Sequence, residues 1–314
     1  MATERWKIVF MGVPEFAVPC LRALHDEHEV LAVVTQPDRL SGRGLRRTKP
    51  PVKALAEQLG LPVLQPETLR RRSVREELAG FKADIFVVVA FGQILRPRVL
   101  TLPRHGCLNV HASLLPRYRG AAPIQWAVLD GEAKSGVTIM ELDAGIDTGP
   151  MLLQREIPLA IDETAGTLHD RLAPLGARLL MEAIEGLQSG AVKPRAQDHS
   201  RATEARMLTK ADGKIDFSRQ AREVDRWIRG LDPWPGAYVD LGEAGRLKLY
   251  NSRFHEEAQG APGEVLAVDD RGALIACGEG GVWVGELQPA GKRRMSAAAL
   301  AAGRGIARGV VLGA

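Results

Sequence analysis

The 314-residue sequence predicts an α/β fold in two parts, a doubly wound parallel sheet over residues 1–189 and a small β-barrel over 213–314, joined by a linker at 190–212. Three observations carry this. Near-continuous Val/Ile runs alternate with helical patterns in the first part, as in strands covered on both faces. Composition turns polar after Leu187, with Gly190, Pro194 and scattered Arg. Beyond Lys214, short alternating runs punctuated by Gly and Asp mark a compact antiparallel unit.

Taken in order, Lys7–Met11 reads as a strand followed by a glycine turn, and Phe16–His25 as a helix. Val30–Thr35 is a second strand, Pro51–Leu59 a helix, and Asp84–Ala90 (DIFVVVA) the strongest strand. Cys107–Val110 is short and apolar, Ala122–Leu129 helical, and Val137–Met140 another strand. Glu163–Leu187 is a long amphipathic helix with Pro174 as a kink or boundary. In the last part, Ser218–Arg229 reads as a helix opened by a Ser cap. The runs AYVDL, RLKLYNS, GEVLAV, GALIACG and GVWVGELQ follow as strands, and Ala297–Ala302 as a short helix.

Lys and Arg total 42 against 38 Asp and Glu, a net charge of +4 that by itself leaves nucleic-acid binding open. The three cysteines, Cys20, Cys107 and Cys277, are far apart, which predicts neither a zinc site nor a disulfide framework and fits a reducing cytoplasm. No apolar run approaches the ~20 residues a membrane helix needs. The N-terminus runs straight into a strand, so no leader is expected.

Ligands of open α/β sheets bind beyond the carboxyl ends of the strands. There the sequence reads NVHASLLPRYRGAAPIQWA. Asn109 and His111 are two apart, so on an extended chain they point the same way. Asn offers a neutral donor to a developing oxyanion, and His a proton donor or acceptor near neutral pH. A third polar group, Asp147, stands in ELDAGIDTG, where glycines allow a tight loop. A carboxylate beside imidazole orients the ring and favours its cationic form. The three together suit addition of an amine to a carbonyl carbon. From spacing alone an ordinary loop, with Asp147 as a turn residue, is the commoner arrangement, and a catalytic set stays open beside it.

NVHASLLPRYRGAAPIQWA followed by GVTIMELDAGIDTGPML resembles the folate-dependent formyltransferases. GAAPIQ and LDAGIDTG together resemble the branch that acts on methionyl-tRNA, and KIVFMGVPEFAVPCL, VVTQPDRLSGRG and QPAGKRRMS extend the likeness over nearly the whole chain. The resemblance implies a Rossmann-like catalytic domain and an OB-like C-terminal barrel that binds tRNA. It implies 10-formyltetrahydrofolate as carrier, initiator methionyl-tRNA as acceptor, no metal, no membrane and a monomer. Asn109, His111 and Asp147 would be catalytic. Ser113, Leu114, Leu115 and Pro116 would form the folate strip, and Phe91, Gly92, Gln93 and Ile94 would edge the pterin slot.

The stretch QPDRLSGRGLRRTKPPVK is rich in basic residues, without apolar periodicity, and reads as a flexible loop. Alone it is as well a solvated loop. The resemblance places it at the tRNA acceptor end, with Arg43 foremost, then Arg39 and Arg46, and Lys210 of MLTK as a further contact. Phe16 is a candidate for the methionine pocket. Lys248, Lys292, Arg293 and Arg294 are candidates for a positive face. Trp227, Trp234 and Trp283 stand in apolar settings and read as core. The sequence departs from the family pattern at Arg96-Pro97, Ala211-Asp212-Gly213 and residues 297–302, none of them at the three polar groups. Sugar-nucleotide and glycinamide ribonucleotide formyltransferases, and a hydrolase of the same carrier, share the chemistry. They do not account for the basic loop together with the C-terminal barrel. A tRNA-binding protein with a dead core would not need all three polar residues.

Overall fold

The computed structural model describes residues 4–41, 46–303 and 305–313. The chain divides into two compact units that are not contiguous in sequence. One comprises Met1–Gly120, Ser135–Ile157 and His169–Ala205, and the other Ala121–Lys134, Pro158–Leu168 and Arg206–Ala314.

The first unit is built on seven strands: β1 (Lys7–Gly12), β2 (Glu29–Val34), β3 (Val63–Leu64), β4 (Ile85–Val89), β5 (Cys107–His111), β6 (Lys134–Glu141) and β7 (Met151–Pro158). Their order across the sheet is β7-β6-β5-β4-β1-β2-β3. The pairs β1–β2, β1–β4, β2–β3 and β4–β5 are parallel. Every residue of β4 is buried, as expected of a central strand covered on both faces. On one face Val9, Met11, Phe86 and Val88 pack with Leu78 of α3 (Arg72–Gly80) and Val99 of α4 (Pro97–Leu100). The helices α1 (Val18–Glu27), α2 (Pro51–Gln58) and α6 (Ala165–Ser189) fall where periodicity puts them, with Pro174 inside α6.

Three expectations need correction here. The sheet is not wholly parallel: β6 runs antiparallel to β5, with His111 opposite Thr138 and Leu108 opposite Glu141. A strand buried on both faces looks the same in either direction, so the pattern could not show this. The basic stretch is no plain loop, because Arg39–Ser41 pairs antiparallel with Arg46–Thr48. A two-stranded ribbon of backbone bonds needs no apolar face and leaves no periodic signal. The polar stretch after α6 is also pinned: Arg195 exchanges both backbone bonds with Met151, and Glu204–Ala205 pairs with Arg119–Gly120.

The second unit holds α5 (Pro123–Leu129), α7 (Ala221–Gly230) and α8 (Ala297–Ala302). Its sheet comprises β8 (Tyr238–Asp240), β9 (Arg246–His255), β10 (Val265–Asp269), β11 (Gly272–Ala276), β12 (Gly281–Pro289) and β13 (Met295–Ser296). These six strands pair with one another antiparallel. β12 pairs with β9 along its length, and also with β11 through Val284 and with β13 at Glu286 and Leu287, so one strand serves three neighbours, as in small barrels. Its core holds Val239, Leu247, Leu249, Val265, Ile275 and Leu287 together with Val224 and Ile228 of α7. α7 starts three residues later than expected, with Gln220 before it and no side-chain cap. Ser218 instead donates to Asp216 Oδ1 at 2.6 Å, closing a turn that competes with the cap.

All three cysteine thiols are free and buried, and burial pushes each pKa up to about 12. His28 is buried too, and its Nδ1 accepts the Trp6 backbone N–H at 3.3 Å. Burial penalises the imidazolium and lowers its pKa below the ordinary 6.5. The neutral ring therefore contributes its stability fully above about pH 6.5, and this is lost as pH falls through the lower folded value. His28→Gln is expected to flatten the fall in Tm between pH 7 and 5. Parallel Tm–pH curves for the two proteins would contradict this.

Candidate active site

Three polar side chains converge at β5. Asn109 Nδ2 donates to Asp147 Oδ1 at 3.4 Å, and His111 Nδ1 lies 3.6 Å from Asp147 Oδ2. The second distance is beyond a direct hydrogen bond. His111 is buried, and its Nε2 is 2.8 Å from the Tyr118 carbonyl. A carbonyl can only accept, so Nε2 carries its hydrogen and Nδ1 is the nitrogen turned toward Asp147. The Gly120 N–H donates to Asp147 Oδ2 at 2.8 Å.

The loop that brings Asp147 in does so against the strand direction. Because β6 is antiparallel, its last residue sits beside Leu108 rather than beside His111. Residues 142–150 then fold back along β5. A Cβ at Gly149 would collide with the Glu141 carbonyl, so only glycine fits that return. Asp147 adopts φ 51°, a left-handed conformation that Asp tolerates better than most residues but at some strain. Asp143 Oδ1 steadies the loop by accepting from Gly145 N and Thr148 Oγ1.

The SLLP strip after β5 is held from behind. Ser113 Oγ donates to the Arg117 carbonyl at 2.7 Å, and Thr138 Oγ1 donates to the Ser113 carbonyl at 2.7 Å. Gln154 Nε2 donates to the Leu115 carbonyl at 2.9 Å. Ser113 and Leu115 are buried, while Leu114 and Pro116 are half-buried. After β4, the Phe91 side chain is buried and its carbonyl accepts from Gln36 Nε2 at 3.1 Å. Gln93 is bound to the Leu69 N–H and the Pro66 carbonyl. Ile94 is 71% exposed, and Ile146, beside Asp147, is 62% exposed. Both are large apolar side chains left open to solvent in the loops flanking Asn109.

Of the basic residues, Arg43 lies outside the described residues, and Arg46 is placed by its backbone alone. Arg39 is exposed, and one nitrogen donates to Gln36 Oε1 at 2.6 Å. The ribbon's base is fixed by Lys53, which donates to both Asp38 oxygens and to Gln65. Those bonds, led by Lys53, hold the Asp38 carboxyl below the usual carboxylate range. In the second unit Lys210 is exposed in a short turn, Lys210–Gly213. Arg294 is paired with Glu286 and stacked on Tyr250, so its charge is partly spent within the unit. Trp283 is buried and Trp227 packs on the core, but Trp234 is 49% exposed, contrary to the core role its setting predicts. It stands in the proline-rich DPWPGAY turn ahead of β8, where its apolar neighbours Leu231 and Ala237 are buried in the core and the indole is not.

Residues 6–184 match the family model described as formyl transferase. The chain belongs to the formyl transferase family. Residues 207–305 match the formyl transferase C-terminal domain. Among similar formyl transferases, the methionyl-tRNA formyltransferase of Trichlorobacter lovleyi is 49% identical over 98% of this chain and 97% of its own length. That of Desulfotalea psychrophila is 51% identical over 98% and 95%. Among solved structures, HypX from Aquifex aeolicus in complex with tetrahydrofolic acid superposes with TM-score 0.66 at 20% identity, over 95% of this chain and 47% of that one. An N-formyltransferase from Helicobacter canadensis gives 0.66 at 20%, over 93% and 100%. At that identity these two speak for the formyl transferase fold.

Sequence reading overlooked Gln197 and Gly120. Gln197 is buried and donates to the Asp147 and Gly149 carbonyls at 2.9 and 2.7 Å. It comes from the stretch read as linker, 50 residues from Asp147, and no local pattern links the two.

Proposed function

We propose that this formyl transferase moves the formyl group of 10-formyltetrahydrofolate onto the α-amino group of methionyl initiator tRNA. The observation that carries this is the convergence of Asn109, His111 and Asp147 in a chain that matches methionyl-tRNA formyltransferases over 98% of its length.

The amine attacks the formyl carbon, forming a C–N bond and a tetrahedral oxyanion. The bond from that carbon to the carrier nitrogen then breaks, and the proton lost by the amine ends on the carrier. Asn109 Nδ2 is the neutral donor to the oxyanion. When His111 carries its second proton, Nε2–H stays on the Tyr118 carbonyl and Nδ1–H becomes the second donor. Asp147 orients that ring and provides the nearest acceptor for the amine's proton. Such preorganised donors act on charge that develops only in the transition state. The carrier's ring system fits the apolar surface of Ile94 and Ile146, beside the backbone edge of Gly92, Gln93 and the Leu114–Pro116 strip. The fixed carbonyls and N–H groups of those loops suit a pterin's alternating donors and acceptors.

The acceptor RNA engages the basic ribbon through Arg39, Arg43 and Arg46, and the C-terminal unit through Lys210. The side chains assigned to catalysis come from one chain, so a monomer suffices, and charged tRNA places the reaction in the cytoplasm. No helix among the described residues is long and apolar enough to cross a membrane. Arg43→Ala is expected to raise the KM for tRNA and reduce its log–log salt slope by about one, leaving the carrier KM unchanged. A tRNA KM that responds to salt as in the parent protein would refute that contact. The reaction itself is tested by following N-formylmethionine released from charged initiator tRNA after incubation with enzyme and carrier. Absence of N-formylmethionine at any carrier concentration would overturn the proposal.

A further inference from the structure

We infer that Gln197 is a positioning residue for the transfer, acting through Asp147 in a closed ring with Arg119 and Gly120. The inference rests on the reading of Asp147 given above and adds what sets that carboxylate in place.

The Gln197 amide has every polar position filled. Nε2 donates to the Asp147 carbonyl at 2.9 Å and to the Gly149 carbonyl at 2.7 Å. Oε1 accepts from Arg119 Nε at 3.1 Å and from a terminal Arg119 nitrogen at 2.7 Å. Only one orientation of the amide works, because a flip would face oxygen with two carbonyls and NH2 with a guanidinium. The residue is 5% exposed, so water cannot replace these bonds cheaply.

The backbone around it is equally fixed. Two residues earlier, Arg195 exchanges both backbone bonds with Met151 at 2.8 Å. One residue later, Asp198 accepts from Ser200 N and Oγ and closes the turn His199–Arg201. On the opposite side, Arg119 N donates to the Thr203 carbonyl at 2.8 Å, and Arg119–Gly120 pairs with Glu204–Ala205.

The ring closes through adjacent residues. The Gly120 N–H holds Asp147 Oδ2, while the Arg119 side chain holds Gln197, which holds the backbone of Asp147 and Gly149. Carboxylate and backbone of Asp147 are therefore gripped by one rigid assembly. The residue needs that grip, since it sits at φ 51° in a loop that folds back along β5. A second residue, His199, reaches the same guanidinium, with Nδ1 at 3.0 Å from Arg119. Gln197 does not touch the place where the formyl carbon would lie. Its effect is on where the Asp147 oxygens stand relative to Asn109 and His111.

Gln197→Met keeps the length and volume and removes both donors. Turnover is expected to fall by roughly 10- to 100-fold, the scale set by small misplacement of a catalytic group. The KM values for carrier and for tRNA should stay within about twofold, because neither substrate is bound through Gln197. Arg119→Lys, which keeps the charge but loses the two-pronged bond to Oε1, should act in the same direction more weakly. It keeps the test open if the Met variant folds poorly. In an Asp147→Asn background, Gln197→Met should cause little further loss, since its effect runs through the residue already disabled. A multiplicative loss in that background, or turnover within twofold of the parent in both single variants, would overturn the inference. If Asp147→Asn itself leaves turnover intact, the reading of Asp147 fails and this inference with it. If Asp147→Asn lowers turnover strongly while Gln197→Met and Arg119→Lys both stay within twofold of the parent, the positioning role alone is lost.

Discussion

Asn109→Ala is expected to lower kcat for formyl transfer by ~10²–10³ while leaving carrier affinity nearly unchanged. Asn109 is half-buried on β5, and its amide donates across 3.4 Å to Asp147 Oδ1, a long bond that leaves the N–H group free to retarget. In the ground state the formyl oxygen carries little charge and gains little from this donor. In the tetrahedral state the oxygen is anionic, and the loss is felt there. The change should appear in kcat, with the carrier Kd from fluorescence titration constant within a factor of about two. Turnover within a few-fold of the parent would remove Asn109 from the mechanism.

The largest stability effect is expected from Asp225→Ala. Asp225 is 3% exposed on the inner face of α7, and Oδ2 accepts from Arg229 Nε at 3.0 Å and from a terminal nitrogen at 2.9 Å. Oδ1 accepts from Ser252 Oγ of β9 at 2.7 Å, and Arg229 also donates to the Glu163 carbonyl at 2.7 Å. Replacing a buried ion pair by apolar residues can be neutral, but deleting one partner strands the other charge and costs about 3–5 kcal/mol. Urea unfolding should show that loss in the C-terminal unit, and a change below about 1 kcal/mol would contradict the account. Double replacement with Arg229→Met should recover part of it.

The buried strands were legible because a both-face-buried strand leaves a dense run of Val, Ile and Phe, as in IFVVV of β4. All five runs beyond Lys214 became strands, since alternation plus Gly/Asp turns is a local signal. α3 was not anticipated: of its nine residues only Leu78 is buried, with Val74 partly buried beside it, so RSVREELAG shows too narrow an apolar face to stand out. β7 was hidden for a similar reason, because Gln154, Arg155 and Glu156 are exposed on this edge strand. Asn109, His111 and Asp147 stood out through resemblance and residue chemistry, and the structure brings them together. Gln197 did not stand out, because its role depends on contacts with Asp147, Gly149 and Arg119, all about 50 or more positions away. Periodicity records burial, and it carries neither strand direction nor long-range polar closure.

The central claim is tested most directly by offering the purified protein 10-formyltetrahydrofolate with three acceptors in parallel: charged initiator methionyl-tRNA, an amino-sugar nucleotide and glycinamide ribonucleotide. The account predicts rapid formylation of the tRNA alone, lost in the Asn109→Ala protein. Transfer to either small amine with none to the tRNA would contradict it, keeping the chemistry at Asn109, His111 and Asp147 but refuting the role given to the basic ribbon and the C-terminal unit.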